Sequence, residues 1–180
     1  MRDERTSSRI TRIRVTSRPN NRSIGRLMIG SLTIPCALGR SGISRPKREG
    51  DGATPSGSFR ILNGYSRTDR ISRLKCALPF LSITASSGWC DDPISSCYNR
   101  PIALPFKQRH ETLWRSDRVY DVLLVLDYNI RPRIKGCGSA IFFHLARDDF
   151  SATEGCIAIR MADMRRLVPR LSRRAYIEVR

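Results

Sequence analysis

The sequence predicts a β-rich single domain with one clear helix, late in the chain. Three observations carry this. At 180 residues the chain can bury one hydrophobic core and is too short for two comfortable ones. Its apolar residues fall in short runs, alternating or continuous, that Gly, Pro and Ser clusters interrupt. Only "MADMRRLVPRL", residues 161 to 171, repeats at helical spacing, with Met161, Met164, Leu167, Val168 and Leu171 on one side and Arg on the other.

The elements follow in order. Residues 1 to 9 are polar and predicted to fray, and "ITRIRVTS" from Ile10 to Ser17 alternates like a half-buried strand. This gives a basic N-terminal segment with a possible first strand over 1–24, and a main domain over 25–180. "GRLMIGSLTIPCALG" reads as two short strands about a Gly-Ser break, a hairpin. Residues 40 to 59, "RSGISRPKREGDGATPSGSF", have no apolar periodicity and read as a long loop suited to binding or to a lid. "FRILNGYS" is a strand, while "LKCALPFLSIT" and "RPIALPF" are short runs broken by Pro that suit edges and bends. "SSGWCDDPISSCYN" is a turn-rich insertion in which Asp91 and Asp92 either orient a cation or cap a turn. "VYDVLLVLDYN", "GSAIFFHLA" and "GCIAI" are buried strands, Pro169 ends or kinks the helix, and "AYIEV" closes the chain as a strand. No internal repeat is present.

Composition excludes some classes. The 33 basic and 16 acidic residues give a formal net charge of +17, a field that draws polyanions without choosing among nucleic acid, anionic membrane and cell-wall polymer. No C-x-x-C pair occurs among the six cysteines, so a zinc finger or ribbon is not expected, and no metal or other cofactor is called for. With Cys156 as a working thiol, five cysteines remain, which favours a reducing compartment, although Cys90 and Cys97 could bridge in an oxidising one. No apolar run approaches the roughly 18 residues of a membrane span. The charged start lacks the apolar core of a secretory signal, so the expectation is that either the protein stays in the cytoplasm or its true start and targeting lie outside this sequence.

The chemistry concentrates in "IFFHLARDDFSATEGCIAI", where His144 ends one apolar run and Cys156 opens another. A thiol becomes nucleophilic when an imidazole or a nest of N–H groups lowers its pKa. Gly155 permits a sharp backbone turn that frees amides for an oxyanion, and a loop from Leu145 to Glu154 that folds back would bring the two strands together. The alternative is that both are ordinary core residues at strand ends. His110, in "KQRHETLWR", reads as a surface residue.

The segment "HLARDDFSATEGCIAI" resembles the active-site signature of the L,D-transpeptidase catalytic domain (YkuD-type), with His144, Thr153, Gly155 and Cys156 at the matching positions. "GDGATPSGSF" resembles that family's T-P-x-G-x-F element through Thr54, Pro55, Gly57 and Phe59, and "GWCDDP", "YN", "LWRSDRVYDVLLVLDYN" and "GSAIFFH" are similar to further blocks, in order. The chain departs from the commoner signature at Glu154, where a His is usual, and at Ala158, where a polar residue is usual.

The resemblance implies a β-sandwich or barrel-like domain with long active-site loops and a monomeric enzyme that acts on peptidoglycan stem peptides. Cys156 would be the nucleophile and His144 its base, oriented by the Leu145 backbone carbonyl, with backbone N–H groups around Gly155 and Cys156 in the oxyanion hole. Thr153, Arg160, Arg115 and Arg48 are the candidate substrate contacts, and Arg45 and Lys47 are further loop candidates. The family places such domains in the cell envelope. Two further readings stay open: a cytoplasmic L,D-carboxypeptidase or amidase of muropeptide recycling, and a non-catalytic basic module that binds polyanions.

Overall fold

The computed structural model describes residues 9–72 and 74–180. The frayed start expected over residues 1 to 9 falls, apart from Arg9, outside that range. Three strands open the fold as an antiparallel meander: β1 (Ile10–Arg18), β2 (Asn21–Ile29) and β3 (Leu32–Ala37). The alternation in β1 turns Ile13 and Val15 inward and leaves Arg12 and Arg14 on the outer face. The hairpin expected from Gly25 to Gly39 is β2–β3, which turns at Gly30 in the left-handed region (φ 57°).

The middle of the chain supplies β4 (Ile43–Ser44), β5 (Thr54–Pro55), β6 (Gly57–Ser66), β7 (Phe80–Ser82), β8 (Ser87–Cys90), β9 (Arg100–Ala103) and β10 (His110–Thr112). Then come β11 (Val122–Leu126), β12 (Phe142–Leu145), β13 (Ile157–Ile159), helix α1 (Met161–Leu167) and β14 (Leu171–Val179).

Among the described residues the main sheet runs β11-β12-β13-β3-β2-β1-β14-β6-β7, and β11 also pairs with β6. That last pairing closes eight strands into a barrel, with β7 lying beside the second half of β6. Closure removes the exposed sheet edges that would otherwise template association. β1 sits inside this ring, parallel to β14 and antiparallel to β2. The barrel is filled by residues such as Val15, Leu27, Ile61, Leu124, Phe143, Ile157 and Ile177, and α1 adds Met164 and Leu167 to the same core. Each such side chain contributes about 1.5–3 kcal/mol on burial.

The helix is shorter than its apolar repeat. It ends at Leu167, a 3₁₀ turn takes Val168–Arg170, and Leu171 already belongs to β14. Pro169 has no N–H to give to an α-helical ladder but fits the first turn of the 3₁₀ segment.

Two regions expected as loops carry order of their own. In residues 40–59, β4 pairs in parallel with β5, and Asp51 staples the bend by accepting from Arg48 N (2.7 Å), Ala53 N (2.8 Å) and Lys47 Nζ (2.5 Å). The turn-rich insertion contributes β8 to a second sheet, β10-β8-β9. A four-residue strand is too short to show a period in sequence. His110 lies in β10 opposite Cys90, half-buried, with Nδ1 2.7 Å from the Gln108 carbonyl. All six cysteines are free thiols, and no helix among the described residues is long and apolar enough to cross a membrane.

Candidate active site

β11 and β12 are buried on both faces, which is why each reads as an unbroken apolar run. One face of this wall, with Val122, Leu124, Leu126, Phe143 and Leu145, fills the barrel. The other, with Leu123, Val125 and Phe142, meets a second core formed with Trp89, Leu113, Tyr120 and Cys156.

Register then decides what His144 and Cys156 share. β12 and β13 pair in parallel, with His144 opposite Ala158. Cys156 precedes Ala158 by two residues, so period-two alternation sends it to the same face as Ala158 and His144. The chain between them makes the crossover that a parallel pair requires. That loop is anchored at Thr153, whose N–H donates to Leu38 O (2.9 Å) and whose carbonyl accepts from Arg40 N (2.9 Å). The Cys156 backbone is held from the other side by the Thr54 element: Thr54 Oγ1 accepts from Gly39 N (2.8 Å) and faces the Cys156 carbonyl at 3.5 Å.

Both side chains line one cavity of ≈ 500 Å³. Cys156 Sγ accepts from Phe142 N (3.3 Å) and donates to Ala140 O (3.2 Å). Ala140 is held in turn by Asn99, whose Oδ1 accepts from Ala140 N (3.1 Å) and Trp89 Nε1 (3.0 Å). His144 Nδ1 lies 2.9 Å from the Leu145 carbonyl. A carbonyl can only accept, so the ring proton sits on Nδ1 and Nε2 carries the lone pair. The Tyr120 ring meets the imidazole edge-on, with centroids 5.2 Å apart.

Burial dominates the electrostatics of both groups. It pushes the His144 pKa down to about 4, with Arg147 and Arg115 adding to the effect and the Leu145 carbonyl opposing it. It pushes the Cys156 thiol up to about 12, which the Phe142 N–H opposes and the Glu111 carboxylate reinforces. The sequence suggested a thiol lowered by its surroundings. Burial acts in the opposite direction, because one N–H donor does not offset the cost of desolvating the thiolate. With His144 shifted down and Cys156 shifted up, imidazole and thiol are both neutral near pH 7.

The predicted site residues divide. Cys156, His144, Thr153 and Arg115 line the cavity. Gly155 sits at φ 133°, and a Cβ there would stand 2.7 Å from Ala53 O. Its N–H, expected in the oxyanion hole, instead donates to Thr153 Oγ1 (3.2 Å). The next donor along the chain, Cys156 N–H, has no acceptor among the described residues. Thr153 Oγ1 also donates to Cys156 O (2.7 Å), so its hydroxyl shapes the loop and is not free for substrate. Arg115 is engaged as a fork with Asp117 (2.8 Å twice).

Arg48 and Arg160 do not reach the cavity. Arg48 is exposed and gives its backbone N–H to Asp51, while Arg160 is exposed with its guanidinium 5.0 Å from the Phe150 ring. Arg45 is exposed, and Lys47 is buried against Asp51. Arg109 and Arg147, from segments far apart in sequence, line the cavity in their place. Asp91 orients Arg109 (3.1 Å), and Asp92 caps a turn at Ile94 N (3.2 Å). Glu154 lies at the rim and pairs with Arg40. Ala158 is buried beside His144, away from the cavity lining.

A sequence model of the L,D-transpeptidase catalytic domain, YkuD, matches residues 21–179. The chain belongs to the YkuD family. The closed β-barrel-like sheet with one short C-terminal helix agrees with the YkuD fold, and the family is that of a catalytic domain. The blocks by which the chain resembles YkuD domains converge here: Thr54 touches the Cys156 carbonyl, Tyr98 and Asn99 buttress the cavity wall, and Phe142 N–H reaches the thiol. Comparison with curated proteins gives no match.

Proposed function

We propose that the protein is a cysteine-dependent acyltransferase on peptidoglycan stem peptides, an L,D-transpeptidase that works through a Cys156 acyl-enzyme. The observation that carries this reading is that the β12–β13 register puts Cys156 and His144 on one face at one cavity, with Leu145 O leaving the His144 Nε2 lone pair available. Family membership favours a peptidoglycan-peptide substrate.

In the first half-reaction His144 Nε2 takes the thiol proton as Sγ bonds to the carbonyl at the L-centre of diaminopimelate. The Cys156 N–H, which has no acceptor among the described residues, would receive the oxyanion. The imidazolium then returns the proton to the amine of the departing D-Ala, leaving a thioester. An amine of a second stem attacks that thioester to give a 3,3-crosslink and a free thiol; water in its place gives L,D-carboxypeptidase activity. A neutral starting pair suits this cycle, since the ring must accept and then release one proton in each half.

The test is product analysis. Purified protein given diaminopimelate tetrapeptides should release D-Ala, and Cys156→Ala should abolish release while the melting temperature stays within a few degrees. Equal turnover by Cys156→Ala would sink the assignment.

A further inference from the structure

The cavity carboxylates differ in how well they are already occupied. Glu49 Oε2 accepts from both Tyr98 Oη (2.5 Å) and Ser139 Oγ (2.7 Å), and Asp91 is held by Arg109 Nε (3.1 Å). Glu111, on β10, has a long contact from Tyr120 Oη (3.4 Å) and an Arg115 nitrogen at 4.0 Å. Arg115 cannot serve it well, because two of its nitrogens are committed to Asp117. Arg147 also turns to Asp117, at 3.6 Å.

Glu111 thus lines the same cavity as the thiol and imidazole without a close cation. A half-buried carboxylate in that position gains from a cationic ligand group more than one already paired does. Burial, with Asp91 and Asp117 adding to it, raises its pKa, against the pull of Arg115 and Tyr120. That makes it a better proton acceptor than an ordinary carboxylate. Its charge also reaches the nucleophile, since it is among the groups that hold the Cys156 thiol up.

We infer that Glu111 binds the ammonium group of the acceptor and takes its first proton, so that it sets the ratio of amine transfer to hydrolysis. This rests on the acyl-enzyme reading above. An acceptor arriving as R–NH₃⁺ must lose two protons to form an amide. One goes to the Glu111 carboxylate; the other goes to His144 Nε2 as nitrogen bonds to the thioester carbon, and passes from the ring to the departing Cys156 sulfur. The sum is thioester, ammonium and carboxylate in, amide, thiol and carboxylic acid out, with charge balanced. The carboxylic acid then releases its proton to water.

The experiment measures partition of one acyl-enzyme between two acceptors. The full chain is given diaminopimelate tetrapeptide as donor and acceptor, and the crosslinked-to-hydrolysed product ratio is read by mass spectrometry at an acceptor concentration below saturation. Because both products leave the same thioester, the ratio does not depend on how fast the thioester forms. Glu111→Gln should lower the ratio about tenfold or more, the scale of a lost charge-assisted hydrogen bond. Glu111→Asp, which keeps the charge, should recover part of it and serves if the Gln variant folds poorly. With hydroxylamine, an uncharged acceptor, the transfer ratio should stay the same in both variants. An unchanged ratio for the peptide acceptor, or an equal fall for hydroxylamine, overturns the inference. Absence of D-Ala release by the unaltered protein would instead count against the acyltransferase reading itself.

Discussion

The two sides of the β11–β12 wall are made from neighbouring residues and do different work. Phe143 faces the barrel and Phe142 the second core, and both are fully buried. The barrel side contains aliphatic side chains in bulk and no cavity-lining group. The outer side holds the aromatic set Trp89, Tyr120 and Phe142, with edge-to-face contacts at 5.2 and 6.0 Å, and carries the thiol and imidazole at its margin. Structure is secured on one face so that buried polar chemistry can be tolerated on the other.

Paired substitutions give the sharpest separation of the two faces. Phe143→Ala and Phe142→Ala should each cost about 3–5 kcal/mol, read from urea midpoints, since both leave a cavity in packed surroundings. The milder Phe143→Leu and Phe142→Leu should each cost about 1.5 kcal/mol or less. Only Phe142→Leu should reduce D-Ala release per folded molecule, because the Phe142 ring packs edge-to-face on Tyr120, which in turn meets the His144 imidazole and lines the cavity. Equal activity losses at both positions would erase the distinction between the faces.

A second, somewhat smaller effect depends on pH. His144 has a folded pKa of about 4 against an ordinary 6.5, so below 6.5 the unfolded chain binds a proton that the folded chain refuses. The stability is present above pH 6.5 and is lost as pH falls toward 4, by roughly 3 kcal/mol for this one group. The difference between unaltered protein and His144→Gln, measured by urea unfolding at pH 7 and pH 4.5, isolates it. A pH dependence that is the same in both would show that His144 is not held neutral.

The smallest effect concerns the link between the two regions. Thr54→Val keeps the shape and removes the acceptor for Gly39 N–H, at a cost of about 1–3 kcal/mol. It should also slow acylation modestly, since the same hydroxyl faces the Cys156 carbonyl at 3.5 Å.

How much of this was visible in sequence follows from the same division. The barrel strands show as apolar runs, and the signature around His144 and Cys156 locates the pair. The second core is hidden because β11 and β12, buried on both faces, have no period that tells the sides apart. Arg48 and Arg160 were reasonable anion partners by residue type, but charge alone does not tell where a side chain points. Arg109, Arg147 and Glu111 reach the cavity only through tertiary pairing of β8 with β10 and through the crossover loop. The pKa directions depended on burial, which no spacing reveals. Arg147, three residues after His144 in that loop, is the one missed cation that its position could have flagged.

The most direct measurement is the mass of the protein during turnover with diaminopimelate tetrapeptide, followed by peptide mapping of the adduct. The account predicts one tripeptide acyl group, carried by the peptide that contains Cys156 and absent after His144→Gln under the same conditions. D-Ala release with no adduct at Cys156, or with the adduct on another of the six cysteines, would contradict it.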